Sequence, residues 1–246
     1  MYGRDVAHVH DAGYGDFARD AAPGLLALLG EAGVHDGLVV DLGCGSGIWA
    51  AALLHAGYDV LGVDGSAALL EIARRRAPAA TFVEGSLLDV PLPPCAAVTS
   101  IGECVTYGRD PRAGRAAFAA LLRRVAAALR PGGLLVFDVV TPEREARRGW
   151  NEGEDWVICV DGRVDPDART LRRAMSVFRR DRDAGGWRRS DEVHDVWLYA
   201  VDDALADLRD AGLHARALDG YGERLRFDRG HAGFAATCAG DPRSSS

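Results

Sequence analysis

The stretch from Val39 to Trp49, VVDLGCGSGIW, constrains this 246-residue chain more than any other. An apolar run, Leu38-Val39-Val40, closes on Asp41-Leu42 and opens directly into glycines at 43, 45 and 47. Ile48, Trp49, the alanines 50–52, Leu53 and Leu54 then read as a helix with one buried side. Strand, glycine turn and helix in immediate succession form the entry to a nucleotide-binding βαβ unit. Glycine is required where the turn is tight and where a ligand lies against bare backbone.

Residue types separate the ligand classes that use such an entry. A phosphate-cradling loop needs a lysine after its last glycine, and here Ile48 and Trp49 follow. A dinucleotide fingerprint places glycine at first, third and sixth positions, and Ile48 stands at the sixth. Asp41 puts a carboxylate at the mouth of the turn, where it would repel a pyrophosphate and attract a cationic amino group. An adenosine bearing a cationic amino acid is therefore expected, which is S-adenosylmethionine.

The motif VVDLGCGSG resembles the first motif of the Rossmann-like S-adenosylmethionine-dependent methyltransferases, in the acid and in the glycine spacing alike. The RPGG turn at 130–133 before an apolar strand is similar to the same family. The resemblance implies cofactor contacts from Asp41, Gly43, Gly45, Asp64, Gly65, Ser86, Leu87 and Ile101, with Tyr14 at the methionine end. Asp64 ends the second apolar run, Tyr58–Asp64, where an acid accepts hydrogen bonds from both ribose hydroxyls. Ser86 stands where the family places an aspartate for the adenine amino group, with Leu87 as apolar neighbour to the ring. Asp89 lies in the loop beyond, as a further ligand group or as a turn acid.

Composition narrows the chemistry further. All 29 basic side chains are arginine, which rules out Schiff-base chemistry on a lysine. The runs of arginine, such as 74–76, read mainly as solvated faces. A net charge of −7 with no clustered basic tail argues against nucleic acid as the partner. Five scattered cysteines lack zinc or redox spacing, so no metal site is expected and the thiols read as reduced and cytoplasmic. No export signal or membrane-spanning run is visible.

In chain order, 16–33 reads as an amphipathic helix interrupted near Pro23. The segment before it, with His8, His10, Tyr14 and Phe17, shows no periodicity and reads as a tail or a flap over the cofactor. A third strand at 81–83 and a fourth at 96–101 follow, then a helix over 112–130 and a fifth strand at 134–138. Glu103 and Tyr107 fall just past the fourth strand, at the sheet edge where ligands bind. From Trp156 to Tyr199 the pattern becomes strand-like with DG, DPDA and DAGG turns. It predicts three antiparallel strands, at 155–161, 170–180 and 187–199, joined through Asp161-Gly162 and through Asp183 to Gly186. A helix over 202–211, strands at 214–218 and 233–239 and a frayed tail at 242–246 complete the chain.

The expected fold class is α/β: a doubly wound, mostly parallel seven-stranded sheet with an antiparallel last strand and an antiparallel β insertion after strand 5. We read a single domain over 1–246. Its parts are an N-terminal helical cap (1–35), a cofactor core (36–140), an inserted β-lobe (150–200) and a C-terminal completion of the sheet (201–240). The lobe would serve as substrate lid or as the contact of a homodimer. Alternation on its last strand puts Glu192, His194, Val196 and Leu198 on one face. His194 and Glu103 are the candidate catalytic groups. Glu103, Tyr107, Glu192, His194 and Tyr221 are the candidate substrate-binding residues. Arg172, Arg173 and Arg188 could bind a substrate carboxylate, but in so arginine-rich a chain each is read first as solvent-facing. The implied reaction is in-line methyl transfer to a small-molecule nitrogen, oxygen or carbon nucleophile, leaving S-adenosylhomocysteine. The alternatives are a protein or RNA methyltransferase, and an NAD-dependent oxidoreductase, which Asp41 argues against.

Overall fold

A computed structural model describes residues 2–108, 110, 112–181 and 185–238. Two helices, α1 (Arg4–Tyr14) and α2 (Asp16–Glu31), precede the sheet. The cofactor half then alternates β1 (Leu38–Leu42), α3 (Ile48–His55), β2 (Asp59–Asp64), α4 (Ala67–Arg76) and β3 (Thr81–Glu84). After it come β4 (Cys95–Ser100), α5 (Arg115–Ala128) and β5 (Leu129–Val140). The insertion contains β6 (Arg148–Glu152), β7 (Trp156–Asp165), β8 (Thr170–Asp181) and β9 (Gly186–Trp197). The chain returns through α6 (Val201–Asp210), β10 (Leu213–Leu218) and β11 (His231–Cys238).

Seven strands form one sheet in the order β10-β11-β5-β4-β1-β2-β3. Within it β11 alone runs against its neighbours. The chain moves outward from β1 through β2 to β3, then restarts at β4 on the other side of β1. That reversal opens a crevice beyond the carboxyl ends of β1 and β4. The central strands read as continuous apolar runs because both faces are covered, and all six residues of β4 are buried. Trp49, Leu53, Leu25 and Leu29 fill one face beneath α2 and α3, and Phe118, Leu122, Val125 and Leu208 fill the other beneath α5 and α6. Each fully buried side chain of this kind stabilises the fold by about 1.5–3 kcal/mol.

The second sheet is antiparallel, in the order β6-β7-β8-β9. Its inner face packs Trp156, Ile158 and Val177 on Val6 and Val9 of α1, and Leu171, Val196 and Leu198 on Val140 of β5.

Several elements differ from the sequence expectation. The segment before Asp16 is the helix α1, not an irregular tail. Its apolar residues Val6, Ala7 and Val9 are buried, two of them against the lobe, so its periodicity is short and weak. Pro23 lies inside an unbroken α2. One helical hydrogen bond is lost there, and burial of Ala21, Ala22, Leu25 and Leu29 holds the helix together. The helix expected over 112–130 is the shorter α5, and the lobe has four strands, not three. Asp161-Gly162 is not a turn: β7 runs on to Asp165, and the Gly162 N–H donates to the Arg147 carbonyl at 2.8 Å. The chain reverses over 166–169 instead, where Pro166 has no N–H for the ladder. Asp183, Ala239 and the expected tail at 242–246 lie outside the described residues.

Candidate functional site

The loop between β1 and α3 has the backbone its glycines imply. Gly43, Gly45 and Gly47 all adopt positive φ, at 81°, 52° and 75°. At Gly43 a Cβ would stand 2.5 Å from Cys104 Sγ, so nothing larger than glycine fits. Asp64, at the end of β2, accepts the Gly45 N–H at 2.9 Å on one oxygen and the Ser66 N–H at 2.8 Å on the other. Both carboxylate oxygens keep a further lone pair for a ligand donor. Burial pushes the Asp64 carboxyl upward, and these two N–H groups partly counter it.

Asp41, in the next-to-last position of β1, is almost wholly enclosed. Thr99 Oγ1 donates to its Oδ1 at 2.9 Å, and Trp49 Nε1 donates to Thr99 Oγ1 at 3.1 Å. Burial raises its pKa to about 7, the Thr99 hydroxyl opposes this, and the Asp64 charge adds to it. No basic side chain of the protein is paired with Asp41 among the described residues.

A cavity of about 940 Å³ opens above the loop. Asp41, Gly43, Gly45, Asp64, Gly65, Ser86, Leu87 and Ile101 all line it, and so do Tyr14, Glu103 and Tyr107. Thus every residue of the expected cofactor set reaches this one space. Helix α1 forms the roof, contributing His10 and Tyr14, one helical turn apart. Burial pushes the His10 imidazole down, with Asp11 opposing, and His10 Nδ1 has no hydrogen-bond partner. Arg76 fastens the roof: its guanidinium bonds both Asp11 oxygens, at 2.8 and 3.2 Å, and the Ser46 carbonyl at 2.6 Å. It is therefore not the solvated arginine that its run suggested.

At the expected adenine end, Ser86 Oγ donates to Asp110 Oδ2 at 2.8 Å and accepts the Leu88 N–H. The carboxylate absent from position 86 is thus supplied by a later loop, and Asp110 also lines the cavity. Asp89 pairs with Arg112, both at the surface, which fits the turn-acid alternative.

The candidate substrate residues divide. Glu103, at φ 67°, binds Arg144 Nη2 through one oxygen (2.6 Å) and Arg173 Nη2 through the other (2.8 Å). Arg173 is therefore a half-buried ion-pair partner, not a solvent-facing side chain. Arg172 and Arg188 do lie near the surface, paired with Asp195 and with Asp5 and Asp181. The alternation on β9 holds, but the face it defines is packed. His194 is 1% exposed, with Nε2 on Glu192 Oε2 at 2.9 Å and its ring against Tyr2 and Tyr107. Glu192 also accepts the Gly3 N–H and so anchors the start of α1. Neither Glu192 nor His194 lines the cavity, because Tyr2 and Tyr107 fill the space in front of the histidine. Tyr221 is likewise fully buried, its hydroxyl donating to Asp138 Oδ2 at 2.8 Å. It belongs to the support of the site, not to its wall.

That support contains a pair that the sequence did not disclose. Asp138, near the end of β5, is 0% exposed and accepts four hydrogen bonds. They come from the Gly102 and Glu103 backbone N–H groups (2.8 and 2.5 Å), the Tyr221 hydroxyl and His231 Nε2 at 2.9 Å. His231 lines the cavity and stacks between Phe17 and Phe227. The available signal was topological: a last strand running antiparallel brings its first residue to the edge where the parallel strands end.

Residues 39–133 match the family model described as "Methyltransferase domain". Rat (Rattus norvegicus) glycine N-methyltransferase is 33% identical over 128 residues, 46% of this chain and 43% of that protein. The chain thus spans less than half the length of that relative. Among solved structures, an S-adenosylmethionine-dependent methyltransferase from Clostridium acetobutylicum superposes with a TM-score of 0.80 at 16% identity, over 95% of this chain and 98% of that one. The sugar N-methyltransferase KedS8 from Streptoalloteichus gives 0.76 at 24%, over 97% and 96%. Residues 39–133 are thus similar to a methyltransferase domain, and the chain as a whole has the fold of the S-adenosylmethionine-dependent methyltransferase structures on which it superposes.

Proposed function

We propose that the protein transfers a methyl group from S-adenosylmethionine to a nitrogen, oxygen or carbon nucleophile on a small molecule. The observation that carries this reading is the pair of acids, Asp41 and Asp64, facing one cavity over a loop free of cationic side chains.

The residues fit that cofactor on their own chemistry. Asp64 is held by two backbone N–H groups with acceptor capacity left for a diol. Asp41 is a buried acid with no cation, so an ammonium group beside it would reverse the cost of its burial. Gly43 and Gly45 leave bare backbone, and Ile101, Leu87 and Leu88 supply an apolar wall. When bound, S-adenosylmethionine supplies an electrophilic methyl group on a sulfonium, a leaving group that needs no covalent enzyme intermediate. What remains for the protein is to fix the geometry and exclude water.

Glu103, Arg144 and Tyr107 line the part of the cavity that we assign to substrate, and Tyr14 the methionine end. Helix α1 roofs the cavity, with the β-lobe packed on its other side, and this cover favours a small acceptor over a duplex or a folded protein. That two of the similar proteins are named N-methyltransferases makes amines the first acceptors to try. No helix of the described residues is long and apolar enough to cross a membrane, and a cytoplasmic setting with reduced thiols accords with five unpaired cysteines. The test is transfer of labelled methyl from S-adenosylmethionine to a panel containing glycine and amino sugars. Label incorporated into a panel member supports the reading. A protein that methylates only RNA or protein added in parallel overturns the small-molecule assignment.

A further inference from the structure

We propose that His231, oriented by Asp138, is the proton acceptor of this site and that its acceptor is a nucleophile arriving with a proton, an ammonium or a hydroxyl group. This role rests on the methyltransferase reading and adds to it a catalytic residue and a substrate class.

The tautomer of His231 is set by its partner. A carboxylate can only accept hydrogen bonds, so the His231 Nε2···Asp138 Oδ1 contact of 2.9 Å puts the ring hydrogen on Nε2. The lone pair then resides on Nδ1. The ring cannot turn away, because Phe17 stacks on it with a 5.9 Å centroid separation and Phe227 with 4.3 Å. Asp138 is fixed in turn by Gly102, Glu103 and Tyr221. A base in the cavity wall, a carboxylate that sets its tautomer and an outer shell that fixes the carboxylate make up the arrangement proton abstraction requires. The sheet puts the pair in place: His231 opens β11 opposite Val140, and Gly233 lies opposite Asp138.

The other candidate bases are committed elsewhere. Both Glu103 oxygens are bound by arginines, and His194 is sealed behind Tyr2 and Tyr107 with its Nε2 on Glu192. Burial pushes the Tyr107 phenol up, so it holds its proton more tightly than usual. His10 lines the cavity, but burial lowers its basicity and no carboxylate sets its tautomer. The charged and titratable groups around the His231 pair are Asp138, Tyr221, Cys104 and the Glu103–Arg144 ion pair.

In the transfer step the nucleophile forms a bond to the methyl carbon as the carbon–sulfur bond breaks, and that bond's electron pair stays on sulfur. A hydroxyl gives its proton to His231 Nδ1 as it attacks; an ammonium gives its proton up beforehand, because only the free amine has a lone pair to attack with, and Asp138 stabilises the resulting imidazolium.

Two measurements on the full chain test this. Nitrogen NMR of the His231 ring at pH 8, recorded on the free protein and again with S-adenosylhomocysteine added, should show hydrogen on Nε2 and none on Nδ1. Hydrogen on Nδ1 would overturn the proposal whether or not an acceptor is in hand. With labelled cofactor and the glycine and amino-sugar panel, His231→Ala should lower turnover about 100-fold or more. S-adenosylhomocysteine affinity should stay within about twofold, and the acidic limb of the kcat profile, measured at saturating cofactor so that Asp41 does not contribute, should vanish. Added imidazole should restore part of the rate through the slot between Phe17 and Phe227. Unchanged turnover in His231→Ala, or a pH limb abolished by His10→Gln instead, refutes the assignment. Loss of S-adenosylhomocysteine binding by the wild-type protein would sink the methyltransferase reading and leave the NMR result to judge the pair alone.

Discussion

Asp41 should be the residue at which stability and function oppose each other most openly. Its pKa stands at about 7 against an ordinary 3.8, with burial as the main cause. At about 1.4 kcal/mol per pH unit, that gap corresponds to about 4 kcal/mol of penalty for holding the charged form in the folded protein. The sign follows from proton counting. Between pH 3.8 and about 7 the folded chain binds the proton more tightly than the unfolded chain does. This contribution to stability is therefore full below pH 3.8 and is lost progressively up to pH 7. Asp41→Asn removes the charge but keeps an oxygen to accept from Thr99, so the variant should lack that loss. At pH 8 it should melt about 5–10 °C above wild type, given about 2–4 °C per kcal/mol and some cost for the new amide. The same substitution removes the partner of the cofactor's ammonium group, a charge-assisted contact of about 1.5–3 kcal/mol, so S-adenosylhomocysteine should bind about 10- to 100-fold more weakly. In the wild type, binding should weaken by up to about tenfold per pH unit below 7, with proton release on binding. Scanning calorimetry from pH 5 to 9 and titration calorimetry in two buffers of different ionisation heat read both effects. An Asn variant that melts with wild type at pH 8 and binds S-adenosylhomocysteine equally well would refute the reasoning.

Other substitutions separate cofactor support from scaffold. Asp64→Ala should abolish most S-adenosylhomocysteine binding, because it leaves the Gly45 and Ser66 N–H groups without their acceptor. His194→Ala should instead lower the melting temperature and leave the ligand isotherm nearly unchanged; calorimetry showing the reverse would exchange their roles. Glu103→Gln strands two largely buried guanidinium groups, Arg144 and Arg173, and should cost about 3 kcal/mol in denaturant unfolding. Gly43→Ala should cost binding before stability, since its Cβ would press on Cys104 Sγ and hold the loop off the ligand. An unaltered dissociation constant would show that the loop can yield there.

The glycine loop and both acids were legible in the sequence because their demands are local. Positive φ at 43, 45 and 47 calls for glycine, and an acid at the end of each of two neighbouring strands is fixed by the strand count alone. A mostly parallel, doubly wound sheet was legible from the alternation of strands and helices, and its antiparallel last strand was expected with it; the strand order came from the structure. What escaped was set by contacts between distant segments. Asp110 reaches Ser86 from 24 residues away. Helix α1 hides two apolar residues against a lobe that begins more than a hundred residues later, so its own pattern is faint. Alternation on β9 placed His194 on the correct face but could not tell a packed face from a pocket wall, and Tyr2 decided that. His231 went unread because it opens a strand instead of ending one, although antiparallel pairing brings strand openings to the ligand edge.

Competitive titration calorimetry of the wild-type chain with S-adenosylhomocysteine and NAD tests most directly whether this loop is built for an amino-acid nucleoside. We expect S-adenosylhomocysteine to bind at about micromolar strength or tighter, some −8 kcal/mol, and to be undisturbed by a large excess of NAD. Saturable binding of NAD with no heat from S-adenosylhomocysteine would contradict the assignment of Asp41 and Asp64 as the acids that select the cofactor.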